Sequence, residues 1–451
     1  MKLHGYDFWE QVLKSPKYIL APMVDQSELP WRILSRRYGA QVTYTPMYNS
    51  AVFLIDETYR NKLFQTEDSD RPLVVQFCGN DPQTVLKAAL MVENCCDAID
   101  LNLGCPQNVA KRGKYGAFLD DWDVIFKIVR SLHDNLKSIP VTAKFRVFDC
   151  VEKTCKYAQM LEEAGAAVLT VHGRTREQKG PMSGLADWEK IAAIKKCVKV
   201  PVVANGNILC FKDIERCLRE TKVDAVMSAE GNLHNPALFA PNCKLKVTDA
   251  ISEYLELCHT FPTSMSFIRA HIFKMCYHIL QFEKFLFLRE IITEMKTLED
   301  VEKLNETLKR ALSENEEFVL EMTGDMQLSI MYCQARVRSS GESKDNYPKI
   351  RTNQFSREDR KRTLAQIQSE HGGCSLRQAK QLMRNPEKGF QKSNRPWLHC
   401  MCRQPKSKGC AHEMCKICCR KLCLEKKVGC EQHKMRKIEA TRSEPSEIKL
   451  G

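Results

Sequence analysis

The sequence predicts an α/β fold: a (β/α)8 TIM barrel followed by a small helical domain and a Cys-rich zinc-binding module. Eight short apolar runs alternate with amphipathic stretches between residues 18 and 231, the pattern of repeated βα units around a parallel sheet. Polar side chains recur where these runs end, which is where a TIM barrel carries its active site. The competing fold, a doubly wound sheet, lacks its fingerprint here, because no G-x-G-x-x-G opens a helix in this region.

The apolar runs define the strands of the predicted barrel. The strand candidates are Tyr18–Met23, Val42–Met47, Leu73–Gly79, Ala98–Cys105, Val141–Val147, Val168–Gly173, Val202–Asn207 and Ala225–Gly231. Two of the stretches between them, Asp81–Asn94 and Thr154–Ala164, predict helices, and Gly165 is a good stop for the second. Eight βα units within about 210 residues match the size of a TIM barrel.

Polar residues lie at the end of one strand candidate after another. These strand-end residues are Pro22, Met23, Gln76, Asn102, Lys144, Arg146, His172, Asn205 and Asn207. Lys144 and Arg146 are two residues apart, so on a strand both point to the same side. Any one of these residues alone is more readily explained as a satisfied structural group. Their recurrence at six strand ends indicates a ligand site at the mouth of the barrel.

The chain divides into five predicted segments. Residues 1–235 form the barrel domain and residues 236–318 a helical domain, because the strand signal gives way to helical apolar spacing. The helix candidates of that domain are Ala250–Cys258, Phe267–Leu280 and Leu298–Leu312. Residues 319–394 are polar and predict a mostly disordered linker, with a weakly helical patch at Arg360–Ser369. The Cys/His-rich module spans residues 395–435, and residues 436–451 form a charged tail.

The net charge of +13 is concentrated at the C-terminus. Residues 341–451 contain 26 Lys and Arg against 12 Asp and Glu, whereas residues 1–340 contain 43 against 44. A basic tail on a neutral body favours a polyanion partner, since each neutralised phosphate releases counterions, although a solvated tail is the alternative. The sequence contains neither an apolar run of about 18 residues nor a secretory signal, so we expect no membrane partner and a cytoplasmic or nuclear location, or both.

Eight of the 22 cysteines lie between residues 400 and 430, a density that favours metal binding over disulfides in a chain without a signal. The predicted Zn²⁺ ligands are Cys400, Cys402, Cys410, Cys415, Cys418, Cys419, Cys430 and His433. Together with Cys423 they offer more than enough soft ligands for one tetrahedral zinc and could hold two, while His399 and His412 could also compete. A segment this short lacks a core and needs metal to fold. Its interleaved lysines and arginines suit an RNA clamp.

Seven motifs follow one another along the barrel. They are Ala21-Pro22-Met23, Tyr44-Thr45-Pro46-Met47, Gln76-Phe77-Cys78-Gly79-Asn80-Asp81-Pro82, Asn102-Leu103-Gly104-Cys105-Pro106, Lys144-Phe145-Arg146, His172-Gly173-Arg174-Thr175 and Asn205-Gly206-Asn207. In order and spacing the set resembles the tRNA-dihydrouridine synthases over about residues 15–320. The resemblance implies an oxidoreductase that acts on a CH–CH group of uridine in tRNA, with flavin mononucleotide (FMN) as cofactor and NADPH or NADH as reductant.

In that family, hydride from the reduced flavin reaches C6 of uracil, and the resemblance makes Cys105 the acid that protonates C5. Hydride addition leaves a carbanion-like C5, and a neutral thiol can supply its proton. The alternative for Cys105 is a redox-inert buried thiol. The resemblance further implies a monomer that binds tRNA and NAD(P)H.

The resemblance assigns FMN contacts around the barrel mouth. The residues concerned are Pro22, Met23, Val24, Gln76, Asn102, Lys144, His172, Asn205, Gly206, Asn207, Ala229 and Glu230. Lys144 is expected at the N1/C2 edge of the flavin, where a cation stabilises the anionic reduced ring. The segments at 205–207 and 229–230 are expected to hold the phosphate through backbone amides. RNA contacts are expected from Arg146, Arg174, Lys111, Arg112 and Lys114.

Two residues depart from the common family pattern. Many members have an arginine where this chain has Glu230, and an acid cannot replace an arginine at a phosphate; Asn207 stands where aspartate is frequent. The runs Ala229–Pro236 and Arg112–Ala117, with the cysteine-rich C-terminus, resemble the eukaryotic branch that modifies positions 16 and 17 of the D loop.

Two other functions remain as alternatives. One is a flavin-dependent dihydropyrimidine or dihydroorotate oxidoreductase acting on a free base, which the basic C-terminus disfavours. The other is a noncatalytic zinc- and RNA-binding protein with a degenerate barrel, which the presence of Cys105, Lys144, His172 and Gln76 disfavours.

Overall fold

The computed structural model describes residues 2–180, 183–313, 329–336, 369, 410–426, 428–433 and 435. These residues fall into two compact units, 1–344 and 345–451. Most of the predicted linker, nearly all of its weakly helical patch and the charged tail lie outside the described residues.

The first unit is built on one sheet of parallel strands, and the predicted TIM barrel is confirmed. The strands are β1 (Tyr18–Leu20), β2 (Thr43–Tyr44), β3 (Tyr48–Asn49), β4 (Leu73–Cys78), β5 (Ala98–Leu103), β6 (Val141–Arg146), β7 (Ala166–His172), β8 (Val202–Asn205) and β9 (Ala225–Ser228). Their order is β1-β9-β8-β7-β6-β5-β4-β2. A bridge between Ile19 and Val42 joins β1 to the start of β2, which closes the barrel.

All eight predicted strands occur, and each ends one to three residues before its predicted end. The difference arises because the polar residues that follow each run belong to the loops of the barrel mouth. One short strand, β3, was not predicted, and it pairs with the end of β4 through Tyr48 and Phe77.

Helices surround the barrel. They are α1 (Gly5–Gln11), α2 (Leu29–Arg37), α3 (Ser50–Ile55), α4 (Glu57–Leu63), α5 (Pro82–Leu90), α6 (Asn108–Gly113), α7 (Trp122–Asn135), α8 (Val151–Glu163), α9 (Trp188–Cys197), α10 (Phe211–Thr221) and α11 (Glu230–His234). The Asp81 carboxylate accepts the Thr84 N–H at the start of α5, and Pro82 has no N–H that needs a partner there. The two predicted barrel helices are thus confirmed as α5 and α8 with shifted ends.

Helix α1 closes the N-terminal end of the barrel. Its Phe8 and Trp9 are almost fully buried in one apolar cluster with Val74, Ala98 and Val168 from three strands. Because this end is filled by side chains, the polar residues at the opposite end mark the open mouth of the barrel.

The chain after the barrel is helical, as predicted. Its helices are α12 (Val247–Thr260), α13 (Met265–Met275), α14 (Phe287–Glu294) and α15 (Leu298–Ser313). The predicted helix Phe267–Leu280 ends early at Met275, and a separate 3-10 turn covers Ile279–Gln281. The apolar residues of these helices belong to the same buried cluster as the outer faces of the barrel strands, so the core is continuous.

Residues 329–336 fall in the predicted linker, yet they pack on the helical part. The Met331 carbonyl accepts the Val247 N–H and the Leu245 carbonyl accepts the Cys333 N–H, both at 2.8 Å. Ile330 and Cys333 are buried. Two apolar side chains in a polar stretch give too weak a periodic signal to predict this contact.

The second unit contains helix α16 (Lys416–Lys426) and a 3-10 turn at Glu431–His433. Its small core consists of four buried cysteines, Cys410, Cys419, Cys423 and Cys430. Within the described residues, no helix is long and apolar enough to cross a membrane.

Candidate active site and metal cluster

A chain of buried amides lies at the mouth of the barrel on β4 and β5. The Gln76 Nε2 donates to the Asp100 carboxylate, and the Asn102 Nδ2 donates to the Gln76 Oε1, each at 2.8 Å. Gln76 and Asp100 are fully buried, and Asn102 is nearly so. Two of these residues were predicted site residues; Asp100 was missed, although its spacing of two from Asn102 places both on one face of β5.

The Cys105 loop, residues 104–107, follows β5 directly. The Asn102 Oδ1 accepts the N–H groups of Gly104 at 3.1 Å and Cys105 at 2.9 Å. The Cys105 carbonyl accepts the Ala117 N–H at 3.1 Å. Gly116 has φ +62°, and a Cβ there would stand 3.0 Å from the Cys105 Cβ, so this close approach requires glycine. The thiol of Cys105 is thus half-buried on a loop tied down at several points.

Lys144 on β6 is a buried cation. Its Nζ donates to the Asn205 Oδ1 at 3.0 Å, and the Asn205 Nδ2 donates in turn to the Met227 carbonyl. Burial, with the nearby positive charge of Arg146, lowers the pKa of Lys144 to about 8, against the smaller opposing effects of Asp100 and Cys105. A buried cation hydrogen-bonded to a neutral amide suits an anionic ligand at this position.

His172 ends β7 in a strongly cationic neighbourhood. Burial and the charges of Arg146, Lys144 and Arg174 hold the pKa of His172 well below its usual range. The ring is therefore neutral at pH 7, and its Nε2, 3.3 Å from the Arg174 Nη1, accepts from that guanidinium. A neutral imidazole can take part in hydrogen bonds at the site without adding charge.

The turn after β8 is compact. Gly206 has φ +109°, and a Cβ there would lie 2.8 Å from the Ala186 Cβ and 3.0 Å from the His172 ring. Asn207 follows with φ +60°, and its Oδ1 accepts from the Arg174 Nη2 at 2.6 Å. Asparagine tolerates this left-handed conformation, so the departure from the family pattern at residue 207 costs little.

The loop after β9 contains an ion pair that the sequence did not predict. Glu230 lies 3.8 Å from Arg336, whose guanidinium also covers the Tyr277 ring at 4.8 Å. Ala229 precedes α11 at its N-cap position. The segment 329–336 thus brings an arginine to the strand end at which Glu230 replaces the frequent arginine of the family. No local pattern could reveal this pair, because its members are more than one hundred residues apart.

The first strand contributes a short turn at the mouth. Ser27 Oγ accepts the Met23 N–H at 3.0 Å and donates to the Met23 carbonyl at 3.2 Å. Pro22 and Met23 are half-buried, and Val24 is 56% exposed. The turn leaves these three residues accessible to a ligand over the barrel.

The predicted RNA contacts fall into two groups. Lys111, Arg112 and Lys114 are exposed on α6 and at its end, just after the Cys105 loop. Arg146, by contrast, donates to the carbonyls of Gly104 at 2.8 Å and Thr175 at 2.9 Å. Arg174 is similarly engaged with neighbouring loops, including the Gly184 carbonyl. These two arginines hold the loops of the mouth together.

A hollow of about 450 Å³ lies next to the end of β5. Leu103, Gly116, Arg146, Phe148 and Arg176 are among the residues that line it. The polar residues Gln76, Lys144, His172 and Asn205 do not line it, so we place the candidate active site by its chemistry at the barrel mouth and not in this hollow.

The second unit brings four predicted metal ligands together. The ligand atoms of Cys410, Cys419, Cys430 and His433 all lie within 4.8 Å of one another, and all four residues are buried. The Cys430 Sγ is 3.5 Å from the His433 Nδ1 and 4.0 Å from the Cys410 Sγ. Three thiolates and one imidazole form a set that could hold a metal ion.

A second group in this unit, His412, Cys419 and Cys423, shares one member with the first. Cys423 is one of the soft ligands that the sequence offers, and His412 is one of the two histidines that could compete. Cys415 and Cys418 are described, but they are not part of either group, and Cys400 and Cys402 lie outside the described residues.

Comparison with known proteins gives a consistent result. The sequence profile of the family described as Dihydrouridine synthase (Dus) matches residues 19–328. A tRNA-dihydrouridine(16/17) synthase-like protein of Rattus norvegicus is 44% identical over 440 residues, which cover 96% of this chain and 98% of the relative. The tRNA-dihydrouridine(16/17) synthase of Schizosaccharomyces pombe is 51% identical, and the match covers 61% of this chain and 72% of the relative. The corresponding enzyme of Saccharomyces cerevisiae is 50% identical, and the match covers 60% of this chain and 68% of the relative. All three names include NAD(P)(+).

Proposed function

Since the chain belongs to the dihydrouridine synthase family, we propose that it reduces the C5=C6 bond of uridine 16 or 17 in the D loop of tRNA, with NADPH or NADH as reductant. The names of relatives at 44–51% identity support this substrate and these positions. One observation carries the proposal. The thiol of Cys105 is half-buried at the barrel mouth, on a loop that Asn102 ties to the amides and cations of the neighbouring strands.

The chain's own residues fit FMN as the cofactor. Lys144 is a buried cation held by a neutral amide, which suits the anionic edge of a reduced flavin. When bound, FMN supplies the hydride that C6 of uracil receives. Pro22, Met23 and Val24 border this space, and Gln76 and His172 offer neutral hydrogen-bonding groups.

Cys105 acts in this proposal as the general acid. Reduction at C6 leaves C5 in need of a proton, and a neutral thiol can give one. The backbone bonds to Asn102 and Ala117 orient the loop before substrate arrives, so little further ordering is needed at the moment of proton transfer.

The phosphate of the cofactor is assigned to the ends of β8 and β9. Gly206 allows close backbone approach at the first, and the backbone around Ala229 and Glu230 borders the second. Glu230 would repel a phosphate if it stood alone. Arg336 lies beside it and offsets that charge.

We assign tRNA binding to three parts of a monomeric chain. The exposed Lys111, Arg112 and Lys114 lie next to the Cys105 loop, where they can contact backbone phosphates. The helical domain, residues 236–318, and the basic C-terminal segment supply further surface. Arg146 and Arg174 are assigned mainly to holding the loops, because they donate hydrogen bonds to Gly104, Thr175 and Asn207 of the barrel mouth.

For the C-terminal module, residues 395–435, we propose one structural Zn²⁺ held by Cys410, Cys419, Cys430 and His433. A Cys₃His set is typical of closed structural zinc sites. Reduced cysteines and a tRNA substrate agree with a cytoplasmic or nuclear location, or both.

Cells that lack this protein test the proposed function. Mass mapping of their tRNA should show unmodified uridine at positions 16 and 17, and the purified protein should be yellow and restore dihydrouridine in that tRNA with NADPH or NADH. Free uridine serves as the control substrate and should remain unreduced. Efficient reduction of free uridine would favour the oxidoreductase on free bases, and a colourless protein without activity would favour the noncatalytic RNA binder.

A further inference from the structure

A fully buried carboxylate lies beneath the candidate active site without an assigned role. Asp100 is on β5, two residues before Asn102, and has no exposed surface. Its Oδ1 accepts from the Thr142 hydroxyl at 2.7 Å, and its Oδ2 accepts from the Gln76 Nε2 at 2.8 Å. A charged group this deep in a barrel is costly unless it is well bonded, so its presence calls for an explanation.

Asp100 is the first member of a chain of hydrogen bonds that ends at the Cys105 loop. The Gln76 carbonyl accepts from the Asn102 amide at 2.8 Å. The Asn102 carbonyl then accepts the N–H groups of Gly104 and Cys105. The path from the carboxylate to the loop thus contains two side-chain amides in series.

The direction of every bond in this path follows from the carboxylate. A side-chain amide can turn over by 180° with almost no change in shape, which exchanges its donor and its acceptor. An ionised carboxylate can only accept, so Gln76 must turn its NH₂ group to Asp100 and its oxygen to Asn102. Asn102 must then turn its oxygen to the loop, where two N–H donors need an acceptor.

Asp100 is in the accepting state at neutral pH. Burial raises the pKa of Asp100 to about 6, while the hydrogen bonds from Gln76 and Thr142 and the charge of Lys144 favour the carboxylate. The group is therefore mostly ionised at pH 7 and above, which is the state that the path requires.

We propose that Asp100 is a positioning residue that sets the orientation of the Gln76 and Asn102 amides and thereby holds the loop that presents the Cys105 thiol. The proposal deepens the proposed function and rests on it for the role of Cys105. If the Asn102 amide turned over, its NH₂ group would face the N–H groups of Gly104 and Cys105. Both N–H groups would then lose their acceptor, so the loop would no longer be held in place.

The test substitutes Asp100→Asn, which keeps the shape of the side chain but lets it donate. The rate at which iodoacetamide labels Cys105, read by mass spectrometry of the peptide that carries it, should change at least threefold, because the loop is no longer held. Labelling of the exposed Cys150 in the same sample is the internal reference and should not change. Dihydrouridine formation should fall at least tenfold in a protein that remains yellow.

Two further variants separate positioning from a general loss of stability. Thr142→Val removes the other bond to Asp100 without reversing any amide, so Cys105 should be labelled within twofold of the wild-type rate. The double variant Asp100→Asn with Gln76→Glu restores an acceptor that faces Asn102, and labelling should return toward the wild-type rate. This rescue is independent of the flavin, since it is measured on the thiol.

The proposal is overturned if Cys105 is labelled at the wild-type rate in a folded Asp100→Asn protein. It is also overturned if the folded double variant does not return the labelling rate toward that of the wild type. If Asp100→Asn does not fold, Gln76→Met cuts the same path at its middle and should give the same labelling change; unchanged labelling there would also overturn the proposal. A wild-type chain that makes no dihydrouridine would refute the proposed function, while the labelling rates would still decide the role of Asp100.

Discussion

Cys105 differs from the other described cysteines in where its loop places it. Most of the other described cysteines are buried, whereas Cys105 is half-buried directly after the end of β5. Cys105 packs against a small buried cluster of Cys78, Ala110 and Tyr115. The position, and not the abundance of thiols, sets Cys105 apart.

Replacing Cys105→Ala should reduce dihydrouridine formation by about 10²–10⁴-fold, the usual contribution of a general acid. Flavin absorbance should be unchanged, because none of the proposed flavin contacts involves the thiol. Turnover is measured as dihydrouridine formed per tRNA with time. Cys150→Ala is the matched control and should keep full activity; near-normal turnover of the Cys105 variant would remove its assigned role.

At Lys144 the proposed role in binding flavin conflicts with the stability of the folded chain. Its pKa of about 8 in the folded chain, against an ordinary 10.5, corresponds to a penalty of roughly 3 kcal/mol when the folded chain holds the proton. The unfolded chain binds more protons between these two values. The free energy of unfolding therefore rises as the pH rises from about 8 to 10.5. Below pH 8 it is lowered by the full penalty.

Lys144→Met should abolish flavin binding and yet raise the free energy of unfolding of flavin-free protein at pH 7 by about 2 kcal/mol, after about 1 kcal/mol for the lost bond to Asn205. Urea unfolding at pH 7 and pH 10 measures this, and the gain should shrink at pH 10. Lys195→Met is the control, and it should lower the free energy of unfolding, because Lys195 pairs with Asp224 at 2.6 Å. A destabilised, colourless Lys144→Met protein would contradict the buried-cation argument.

At the scale of elements, a buried polar network joins the barrel to the helical part. Glu28, just before α2, accepts from the Tyr254 hydroxyl of α12 at 2.6 Å and lies 3.0 Å from the His271 Nε2 of α13. The His271 ring stacks on Trp31 with centroids 3.9 Å apart. Burial acts to raise the pKa of Glu28, but the charge and hydrogen bond of His271 and the bond from Tyr254 together lower it.

Glu28→Gln should lower the free energy of unfolding at pH 7 by about 1–3 kcal/mol, because a neutral amide accepts these bonds more weakly and brings a donor that has no partner. Because the pKa of Glu28 is lowered on folding, its stabilising charge is lost as pH falls below the ordinary value of 4.5, and the difference from wild type should narrow in acid. Urea unfolding at pH 7 and pH 4 is the measurement.

The same substitution at Glu256, on the exposed side of α12, is the matched control. Glu256 pairs with Arg37 at 3.4 Å, but 67% of its side chain is exposed. The effect of Glu256→Gln should stay within about 0.5 kcal/mol. Equal effects of the two substitutions would show that the buried network adds nothing to stability.

At the scale of the whole molecule, charge and catalysis are separated along the chain. The barrel and helical part are close to neutral overall, while residues 341–451 carry the positive excess. A neutral catalytic body with a basic extension suits an enzyme whose substrate is a long polyanion of which only one nucleotide reacts.

Deleting residues 395–451 should weaken tRNA binding and flatten its dependence on salt, since fewer counterions are released, while the protein stays yellow. Fluorescence titration of labelled tRNA at several salt concentrations measures both effects. Cys419→Ser in the full chain is the companion variant, because it removes a proposed zinc ligand and keeps every lysine and arginine. It should lose zinc and part of the affinity; unchanged affinity in the deletion would remove the RNA role of the segment.

Much of the fold could be predicted from residues close together in the chain. Apolar runs bounded by polar strand ends predicted all eight main barrel strands, and the ordered motifs from Ala21 to Asn207 predicted the family and the site region. The ends of elements were predicted less well, as in the helix that stops at Met275, because neighbouring turns and packing decide where hydrogen bonding ends.

By itself, then, the sequence determined the barrel, the family and the placing of Cys105 and Lys144 at the mouth, because alternation along a strand and motif order are local properties. Only the tertiary structure decided which groups meet: the path from Asp100 through Gln76 to Asn102, the pair of Glu230 and Arg336, and the Cys/His cluster drawn from the many cysteines and histidines of the second unit. These contacts join residues far apart in the chain. Which residues form such contacts depends on how the strands and loops pack, and a local sequence pattern does not contain that information.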